Sequence, residues 1–581
     1  MFKRFIKFLL ITSTLLGMLL FSIPFIVPLD DYQPILEEHL SQSIGRKVMI
    51  GELSPQVMPL PALTATNVSI LSSPEQPGEL FVEQMQATLD PLALLDGKIV
   101  IRSIHLNGVG SNLKFINALI NPKTSNDHPP PQDPLLAVHQ ITGSNVMLRT
   151  DNLTSLGPYR FNLQLDNGFR CKEMLLSRMD NTLQAILRPS SNNTFSLRAS
   201  GNNWRVPVSP AFDFDKLNVQ AVIHKGKAEL TNVEINGYDG SVTTNGTLSW
   251  GKRWAYQGRL QSTNLQLAPI LKFFDINTYE GRFHSDLNIK LDGEDLGQLF
   301  INPEAKGTYH ISHGLVKKED NNKVLLKFDE FSADGHLTEG ALKNDNNILK
   351  TAGGTIQGIT HLFWKEHWNI KGWMVASEID AETFLAGFVN DKVTSGTFYA
   401  TSEFNLTENE NEGLLDRPYL IGDFRMTNGK IYKADLEKAS TTLSAEGSQG
   451  GETPFQKLTG KARFENNHIT VTDIDIISDS MSANGDIHIN PQDKLDGEVI
   501  VAVRKTASII SAPIKVSGTI SDPNLRLSND AIIGGLIGTS VLGPGVGTAV
   551  GMKVGRIIKK IGSALGSGEA KADLIPVKKP Q

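Results

Sequence analysis

Two pairs of histidines have the residue type and the spacing that could hold a metal ion. His310 and His313 lie three residues apart in a segment that alternates like a strand, so they point to opposite faces. His361 and His367 share a face of an extended strand, but they lie about 20 Å apart along it. Because neither pair can share one ion in this geometry, we expect no metal site and no cofactor.

Asp473 and Asp475 are the carboxylate pair that could act as general acid and base. They lie in the alternating segment HITVTDIDII, where this spacing is typical of the solvated face of a strand. The motifs GxxxxGK[ST], GxSxG and HExxH, which mark phosphate loops, nucleophile elbows and helical zinc sites, are missing from the sequence. A hydrolase would need a clustered Ser, His and Asp set that the residue order does not suggest. The sequence therefore predicts a protein that is not an enzyme.

The composition predicts a folded chain with an acidic body and basic ends. Of 581 residues, 40% are hydrophobic and 20% are charged, and the mean hydropathy is −0.16. These values exclude a disordered chain and a multi-span transporter. The net charge is −6, although Lys and Arg concentrate in residues 1–7 and 531–581. This distribution argues against nucleic-acid binding and favours contact of the ends with anionic membranes. The single cysteine, Cys171, excludes an internal disulfide.

A single-pass membrane anchor is predicted near the N-terminus. Residues 8–27 (FLLITSTLLGMLLFSIPFIV) carry no formal charge, and a helix of that length spans about 30 Å, the thickness of a bilayer's hydrocarbon core. Basic residues precede the segment, and Asp30 and Asp31 follow it. This charge bias places the N-terminus in the cytoplasm and the bulk of the chain outside it. A cleaved signal peptide is the alternative, but the apolar run is too long for one and no small-x-small site follows.

The next hundred residues predict a short helix followed by strands. Residues 31–44 form an apolar stripe that can begin at Asp31 and end before Gly45. The extended segments are KVMIGEL, LTATNVSIL, LFVEQMQATL and KIVIRSIHL. In the third of these, alternation places Phe81 on the face of Met85 and opposite Val82. Residues 122–134 (PKTSNDHPPPQDP) predict a linker or an exposed loop.

From about residue 135 to 527 the pattern predicts an antiparallel sheet with one apolar face. Residues 282–293 and 397–406 alternate strictly between apolar and polar side chains. Ser285 and Ser402 fall on the predicted apolar face and interrupt it. The apolar positions of that face are Phe283, Leu287, Ile289, Leu291, Phe398, Phe404 and Leu406. Turns between the strands are predicted at short runs rich in Asn, Asp and Gly: NGVG, NGYDG, NGT, DGED, NGK, NPQD and LDGE.

An internal repeat predicts that the sheet is built by duplication. Residues 258–291 match residues 372–406 with one inserted residue, and each copy has the pattern of a strand, a short helix and a strand. The helices are expected at 268–275 and 380–388. The repeat is compatible with a plain scaffold and with a sheet that elongates by repetition.

The C-terminal segment carries glycines at a spacing of four, followed by an apolar stripe beside basic residues. This pattern favours close contact with a bilayer or with another helix. A helix that covers the end of the sheet and a disordered tail are the alternatives. The residues concerned are Gly543, Gly547, Gly551, Gly555, Ile557, Ile558, Lys559 and Lys560.

The order of these elements resembles a known family. An anchor, a helix ending in SIGRKVMIGEL, the strand PALTATNVSIL and the run LDPLALLDGKIVIRSIHLNGV are similar to the N-terminal module of the AsmA family of Gram-negative envelope proteins. The runs FRMTNGKIYKADLEKASTTLS, ARFENNHITVTDIDIISDSMSANGDIHI and PIKVSGTISDPNLRLS resemble its C-terminal region. The resemblance is good over 1–120 and 370–527 and loose between them.

The resemblance implies a periplasmic protein fixed in the inner membrane, with an elongated, curved β-sheet groove related to bridge-like lipid transfer proteins. It implies phospholipid as the partner, a role in outer-membrane biogenesis, and the apolar positions named above as groove lining. An ordinary sandwich core is the other interpretation of those positions. A scaffold or assembly factor for outer-membrane proteins is the alternative function. The expected domains are an anchor (1–28), an N-terminal module (29–121), a linker (122–134), a sheet body (135–370), a C-terminal β region (371–527) and a glycine-rich amphipathic tail (528–581).

Overall fold

The computed structural model describes most of residues 33–528. The predicted anchor at 8–27 and the glycine-rich segment from 529 onward lie outside the described residues. Within 33–528, the residues left out of the description are 45, 57–59, 72–79, 96–99, 113–135, 150–154, 167–169, 191–193, 207–211, 225, 273–275, 295–297, 319–320, 366, 409–416, 443–448 and 506–507.

The described residues form a mainly β protein, as predicted, with 28 strands assigned to a sheet and five helices. The helices are α1 (Gln33–Ile44), α2 (Pro91–Leu95), α3 (Leu267–Leu271), α4 (Ala381–Leu385) and α5 (Leu436–Thr442). The first fourteen strands are β1 (Val48–Met49), β2 (Glu52–Gln56), β3 (Ala62–Ile70), β4 (Leu80–Leu89), β5 (Ile101–Asn112), β6 (Leu136–Arg149), β7 (Ser155–Leu165), β8 (Cys171–Arg178), β9 (Leu183–Pro189), β10 (Phe195–Val206), β11 (Phe212–His224), β12 (Lys227–Gly237), β13 (Gly240–Ser249) and β14 (Trp254–Gln266). The others are β15 (Tyr279–Gly293), β16 (Glu304–Lys317), β17 (Val324–Thr338), β18 (Ala341–Thr351), β19 (Gly354–Phe363), β20 (Asn369–Asp380), β21 (Thr394–Thr407), β22 (Tyr419–Tyr432), β23 (Glu452–Glu465), β24 (His468–Ile477), β25 (Met481–Ile489), β26 (Leu495–Lys505), β27 (Ser508–Gly518) and β28 (Pro523–Leu527).

The chain divides into two compact units. The first contains residues up to Leu265 together with His284–Ala305, and the second contains Gln266–Phe283 together with residues from Lys306 onward. Consecutive strands pair antiparallel in both units wherever the structure describes the pairing, except that β5 and β6 run parallel. A parallel pair needs a long connection. That connection runs through 113–135, which contains the predicted linker and lies outside the described residues.

Helix α1 packs on the first strands of the first unit, as the apolar stripe predicted. Leu36 contacts a core that includes Val48 and Val82. The Ile50 amide donates to Glu37 Oε1 at 2.7 Å, and Gln33 Nε2 donates to the Ile50 carbonyl at 2.7 Å. These bonds satisfy backbone groups in the segment between β1 and β2 and hold the helix against it.

The predicted face of Phe81 is wrong, because the extended backbone of the neighbouring strand is interrupted beside that point. Phe81 is 40% exposed, whereas Val82 is buried at 4%. Val82 pairs with Val68 and Gln84 pairs with Thr66, and Asn67 between the two partners has a φ of 50°. The register is the same on both sides of Asn67, so no residue is inserted, but a left-handed residue interrupts the extended backbone and the alternation does not continue past it.

The internal repeat is confirmed in structure and is longer than the sequence comparison indicated. One copy is β14–α3–β15, and the other is β20–α4–β21. Upstream of each copy a pair of tryptophans closes a hairpin, with ring centroids 6.0 Å apart for Trp250 and Trp254 and 5.7 Å apart for Trp364 and Trp368. The Trp250 amide donates to the Gly226 carbonyl at 3.0 Å in the first copy, and Trp364 makes the same bond to Gly340 in the second.

Several sequences predicted as turns lie inside strands. NGVG lies in β5, NGT in β13, NGK in β22 and LDGE at the start of β26. NGYDG and NPQD are turns as predicted: Tyr238 and Asp239 have positive φ between β12 and β13, and Asp493 donates to the Asn490 carbonyl between β25 and β26. The error has a physical cause, because Asn and Gly suit a left-handed bulge residue as well as they suit a turn.

Residues with positive φ recur on every second strand from β14 to β24, and in β18, β20, β22 and β24 they coincide with bulges. A non-glycine residue with positive φ lies within each of these strands. The residues are Asn264, His313, Asn346, Glu378, Asn428 and Asp473. A bulged strand bends and twists more strongly than its regular neighbour. Regular bulges therefore bend the sheet of the second unit repeatedly.

Ion pairs line the polar face of the first unit, and one of them predicts a pH dependence. Hydrogen bonds from Arg259, and then from Gln261, lower the pKa of Asp286 from 3.8 to about 2. As pH falls below about 4, the unfolded chain takes up a proton that the folded chain resists until about pH 2. The stabilisation is thus complete above pH 4 and lost toward pH 2. We expect the urea midpoint of Asp286→Asn to fall less over this range than that of the wild type.

The control for this pH experiment is Asp215→Asn, another exposed carboxylate of the first unit. Urea unfolding measured at intervals between pH 5 and pH 2 compares the three proteins. An Asp286→Asn curve parallel to the wild-type curve would contradict the assignment. Added salt should reduce the difference, because exposed ion pairs are screened.

Candidate functional site

The two aspartates considered for acid–base catalysis each have a structural partner. Asp473 is the bulge residue of β24 and pairs with Lys461 Nζ at 3.1 Å. Asp475 accepts from Asn484 Nδ2 at 2.8 Å. In the part of the chain that the structure describes, no three His, Cys, Asp or Glu side chains come together as metal ligands would. The predictions that the protein is not an enzyme and has no cofactor remain predictions.

In the second unit, apolar side chains on one side of the sheet form rows that cross the strands. Residues directly opposite each other on paired strands lie on the same face, so the register defines each row. We call this side the inner face. The row from β21 to β27, here the covered row, is Phe398, Met426, Leu458, Ile476, Ala483, Val501 and Ala512. The row from β21 to β26, here the open row, is Phe404, Leu420, Phe464, Ile469, Ile489 and Leu495.

Helix α5 packs over the covered row and completes a core. It contacts β23, β26, β27 and β28, and its Leu436, Ala439 and Ser440 are buried. The Leu436 amide donates to Thr453 Oγ1 at 3.0 Å, and that hydroxyl donates to the Ala434 carbonyl at 2.6 Å. These bonds fix the start of the helix. Seven residues of helix can cover only one end of the strands.

The open row lies toward the other end of the same strands and is only half-buried. All six of its side chains have intermediate exposure, in contrast to Val501 and Ala483 of the covered row, which are fully buried. Apolar surface in contact with water costs about 25 cal/mol per Å² relative to burial. A contiguous apolar strip of this kind on a folded unit is typical of a binding surface.

The inner face of the first unit carries a row of the same kind. It crosses ten strands, from β3 to β12, through direct cross-strand neighbours. Most of its side chains are half-buried. The row is Leu63, Ala87, Ile104, Ile141, Leu163, Met174, Leu187, Leu197, Ala221 and Leu230. The apolar inner face is therefore a feature of each unit separately.

Three of the predicted groove residues lie on the inner face of the second unit. Phe398 belongs to the covered row and Phe404 to the open row. Leu406 lies directly opposite Ile370 on β20. Ser402, predicted as a polar interruption of this face, is buried at 6%.

The other four predicted groove residues have different surroundings. Leu291 is buried at 8% in a small core of the first unit, against which Ile289 packs. Leu287 is half-buried in the same unit. The Phe283 ring belongs to the second unit, 5.9 Å from the ring of Tyr309. Leu291 and Ile289 thus serve partly as core, which was the alternative interpretation of these positions.

Aromatic rings lie close against glycines on the inner faces. In each case the glycine is the direct cross-strand neighbour of the aromatic residue, and a Cβ on it would meet the ring. The pairs are Phe161 and Gly143, Phe404 and Gly372, Phe424 and Gly460, and Phe455 and Gly429. A ring laid across a glycine covers the exposed backbone and replaces a ridge with a smooth apolar floor.

Replacing Gly143 with Ala should destabilise the first unit by about 1–3 kcal/mol, because the new Cβ overlaps the Phe161 ring and displaces it. In a Phe161→Leu background the same replacement should cost less, and urea unfolding of the four proteins in this double-mutant cycle measures the coupling. Gly110→Ala is the control, since a Cβ there meets nothing within 4 Å. Equal costs in both backgrounds would refute the ring contact as the cause.

One polar cluster interrupts the inner face of the second unit, and sequence reasoning missed it. The Tyr309 hydroxyl donates to Asn344 Oδ1 at 3.0 Å, and Asn347 Nδ2 donates to Thr360 Oγ1 at 2.8 Å. Asn344 and Asn347 are buried at 4% and 7%. Burial raises the pKa of Tyr309 to about 12, so its hydroxyl keeps its proton and remains a donor at neutral pH. The polar run KNDNN gave no strand alternation from which to place these amides.

The predicted membrane-contacting segments lie outside the described residues. They are the anchor at 8–27 and the glycine-spaced segment that contains Gly543, Gly547, Gly551, Gly555 and the stripe from Ile557 to Lys560. Among the residues described, no helix has both the length and the apolar character to cross a membrane.

Fold and site together define a class of mainly β protein, in which the sheet of each unit has an apolar inner face and a charged outer face. Residues 2–119 match the model of the AsmA family, which confirms the resemblance seen in the N-terminal sequence. The match covers the N-terminal module and leaves residues 120–581 outside it. No curated protein matches the chain.

Proposed function

We propose that the protein is an inner-membrane-anchored periplasmic protein that carries phospholipid on its apolar inner faces during outer-membrane biogenesis. The observation that carries this proposal is the open row, a strip of half-buried apolar side chains in direct cross-strand contact. The N-terminal match to the AsmA family supports it. The basic residues before the apolar segment 8–27 and the acidic residues after it support the proposed orientation.

The size of the open row suits an acyl chain. Six strands give five spacings of about 4.8 Å, or a strip about 24 Å long. The acyl chains of one leaflet span about 15 Å, half of the hydrocarbon core. An acyl chain laid across the strands could therefore contact most of the row. The rings of Phe404 and Phe424 lie against Gly372 and Gly460, which have no side chain to stand across its path.

The alternative, a scaffold for outer-membrane proteins, would favour polar groups on the inner face that await a partner. The polar cluster of the second unit bonds largely within itself instead, through the Tyr309–Asn344 and Asn347–Thr360 hydrogen bonds, and leaves the buried Asn347 Oδ1 as an acceptor without a partner. Ser262 and Ser285 likewise bond to each other at 2.8 Å on the first unit's inner face. The apolar rows thus favour lipid over a protein partner.

Native mass spectrometry of the full chain, purified in a detergent that does not resemble phospholipid, tests the proposal. We expect phospholipid to remain bound in more than one copy, and extraction with solvent to identify it. A folded chain that is free of lipid, and that takes up none when mixed with vesicles of bacterial phospholipid, would refute lipid carriage. Crosslinking to envelope proteins would then test the scaffold function.

A further inference from the structure

A charged residue lies on the otherwise apolar inner face of the first unit. Arg178 is the last residue of β8 and lies directly opposite Tyr159 on β7. Two positions earlier on β8, Leu176 lies opposite Phe161 in the same register. Because alternate residues of a strand share a face, Arg178 lies on the same face as Leu176. Tyr159 is buried at 8% in the core beneath helix α1.

The guanidinium of Arg178 is only partly satisfied by the protein. Its Nη2 pairs with Asp180 Oδ2 at 3.1 Å, and Thr182 donates to the other oxygen of that carboxylate. Its Nε is buried and has no hydrogen-bond partner. A buried charged donor without an acceptor is costly, so the position favours an anion beside Nε. A quarter of the whole side chain is exposed, whereas Nε itself is covered, so an anion reaches Nε only when the guanidinium or its cover shifts.

The surroundings of Arg178 match a molecule with an anionic head and an apolar body. The residue stands at the border of the sheet, where β8 gives way to the exposed hairpin residues Met179 and Asp180. In the other direction, the inner face continues through the half-buried Leu176 and Leu183. An ion free in solution would gain nothing from that apolar floor, whereas a lipid would bury its chains on it.

We propose that Arg178 binds the phosphate of a phospholipid whose acyl chains lie on the inner face of the first unit. The planar guanidinium presents Nε–H and Nη–H donors as a fork that fits two phosphate oxygens. Asp180 already takes one hydrogen of Nη2, the nitrogen that shares an edge with Nε, so the phosphate would accept from Nε–H and from the second Nη2–H. The inference rests on the proposed function, since it assigns the head-group contact of the same lipid.

The experiment uses the full chain in detergent and two soluble lipids, dioctanoyl phosphatidic acid and dioctanoylglycerol, which differ only in the phosphate. Binding is measured by titration calorimetry, with inorganic phosphate as a third ligand. Arg178→Met keeps the length of the side chain and removes the charge. We expect this variant to bind phosphatidic acid about 10- to 100-fold more weakly than the wild type, which is the range for lost hydrogen bonds to a charged group. Its affinity for dioctanoylglycerol should be unchanged.

Arg198→Met is the matched control, because Arg198 is exposed on the opposite face between the inward Leu197 and Ala199. It should bind both lipids like the wild type. Arg178→Lys keeps the charge without the fork, so its affinity for phosphatidic acid should lie between those of the wild type and Arg178→Met. This variant tests the contact even if Arg178→Met folds poorly.

The outcomes separate the inference from the proposed function. If both lipids bind and Arg178→Met binds phosphatidic acid like the wild type, the inference is wrong and lipid carriage stands. If Arg178→Met weakens the binding of both lipids equally, Arg178 contributes to the apolar contact with the acyl chains, and the proposed phosphate contact is wrong. If inorganic phosphate binds as tightly as phosphatidic acid, the site does not require a lipid, and the proposal that the phosphate belongs to a phospholipid is wrong. A wild-type chain that binds neither lipid overturns both proposals.

Discussion

The double variant Leu420→Asp and Ile469→Asp is expected to lose most of its bound phospholipid, at least tenfold relative to the wild type, while it keeps its fold. Both residues belong to the open row and flank Phe464 across the strands. Two carboxylates there would have to lose their water if an acyl chain covered them, which costs several kcal/mol per charge. Because both positions are half-buried in the lipid-free chain, the carboxylates remain hydrated in it.

The neighbouring residues on the same two strands give a matched control. Ile421 and Thr470 point to the outer face, and Ile421 is 37% exposed. The variant Ile421→Asp and Thr470→Asp adds the same charges to the same strands and should retain its lipid. Native mass spectrometry counts the lipid, and circular dichroism checks the fold. Equal loss in both variants, or in neither, would contradict the assignment of the open row as the lipid contact of the second unit.

Replacement of Ile514 with Ala is expected to produce the largest loss of stability. Ile514 is fully buried between Val499 and Leu527, its direct neighbours on β26 and β28. Truncating such a side chain removes its transfer free energy and leaves a cavity, which together cost about 2–5 kcal/mol. The core that helix α5 completes depends on this layer, so the strands β25–β28 should open first.

Hydrogen exchange detected by mass spectrometry resolves where the Ile514→Ala variant opens. We expect faster exchange in β25–β28 and wild-type exchange in β3–β9 of the first unit. Ile421→Ala, which truncates an exposed residue of similar size, should change exchange little. Uniform acceleration across both units would show that the units unfold as one, and would refute a local role for this core.

The alternation of residue types within single strands correctly predicted which side chains share a face in several strands. Alternation placed Phe398, Phe404 and Leu406 together on one face of β21, and the repeat predicted both strand–helix–strand copies. It failed where a left-handed residue interrupts the extended backbone, as at Asn67 beside Val82. Asn428 in NGK shows the same limit, because the left-handed conformation that suits a turn also suits a bulge inside β22.

The sequence by itself determined the β class, the two-faced strands, the repeat and the resemblance of the N-terminal module, because these depend on residue types at fixed local spacing. Only the tertiary structure decided which apolar residues join into rows. The rows depend on the register between paired strands, and local sequence does not determine that register. It alone decided that α5 covers one row and leaves the other half-buried. It also placed Arg178 on the inner face, because the register with Tyr159 sets where that side chain points.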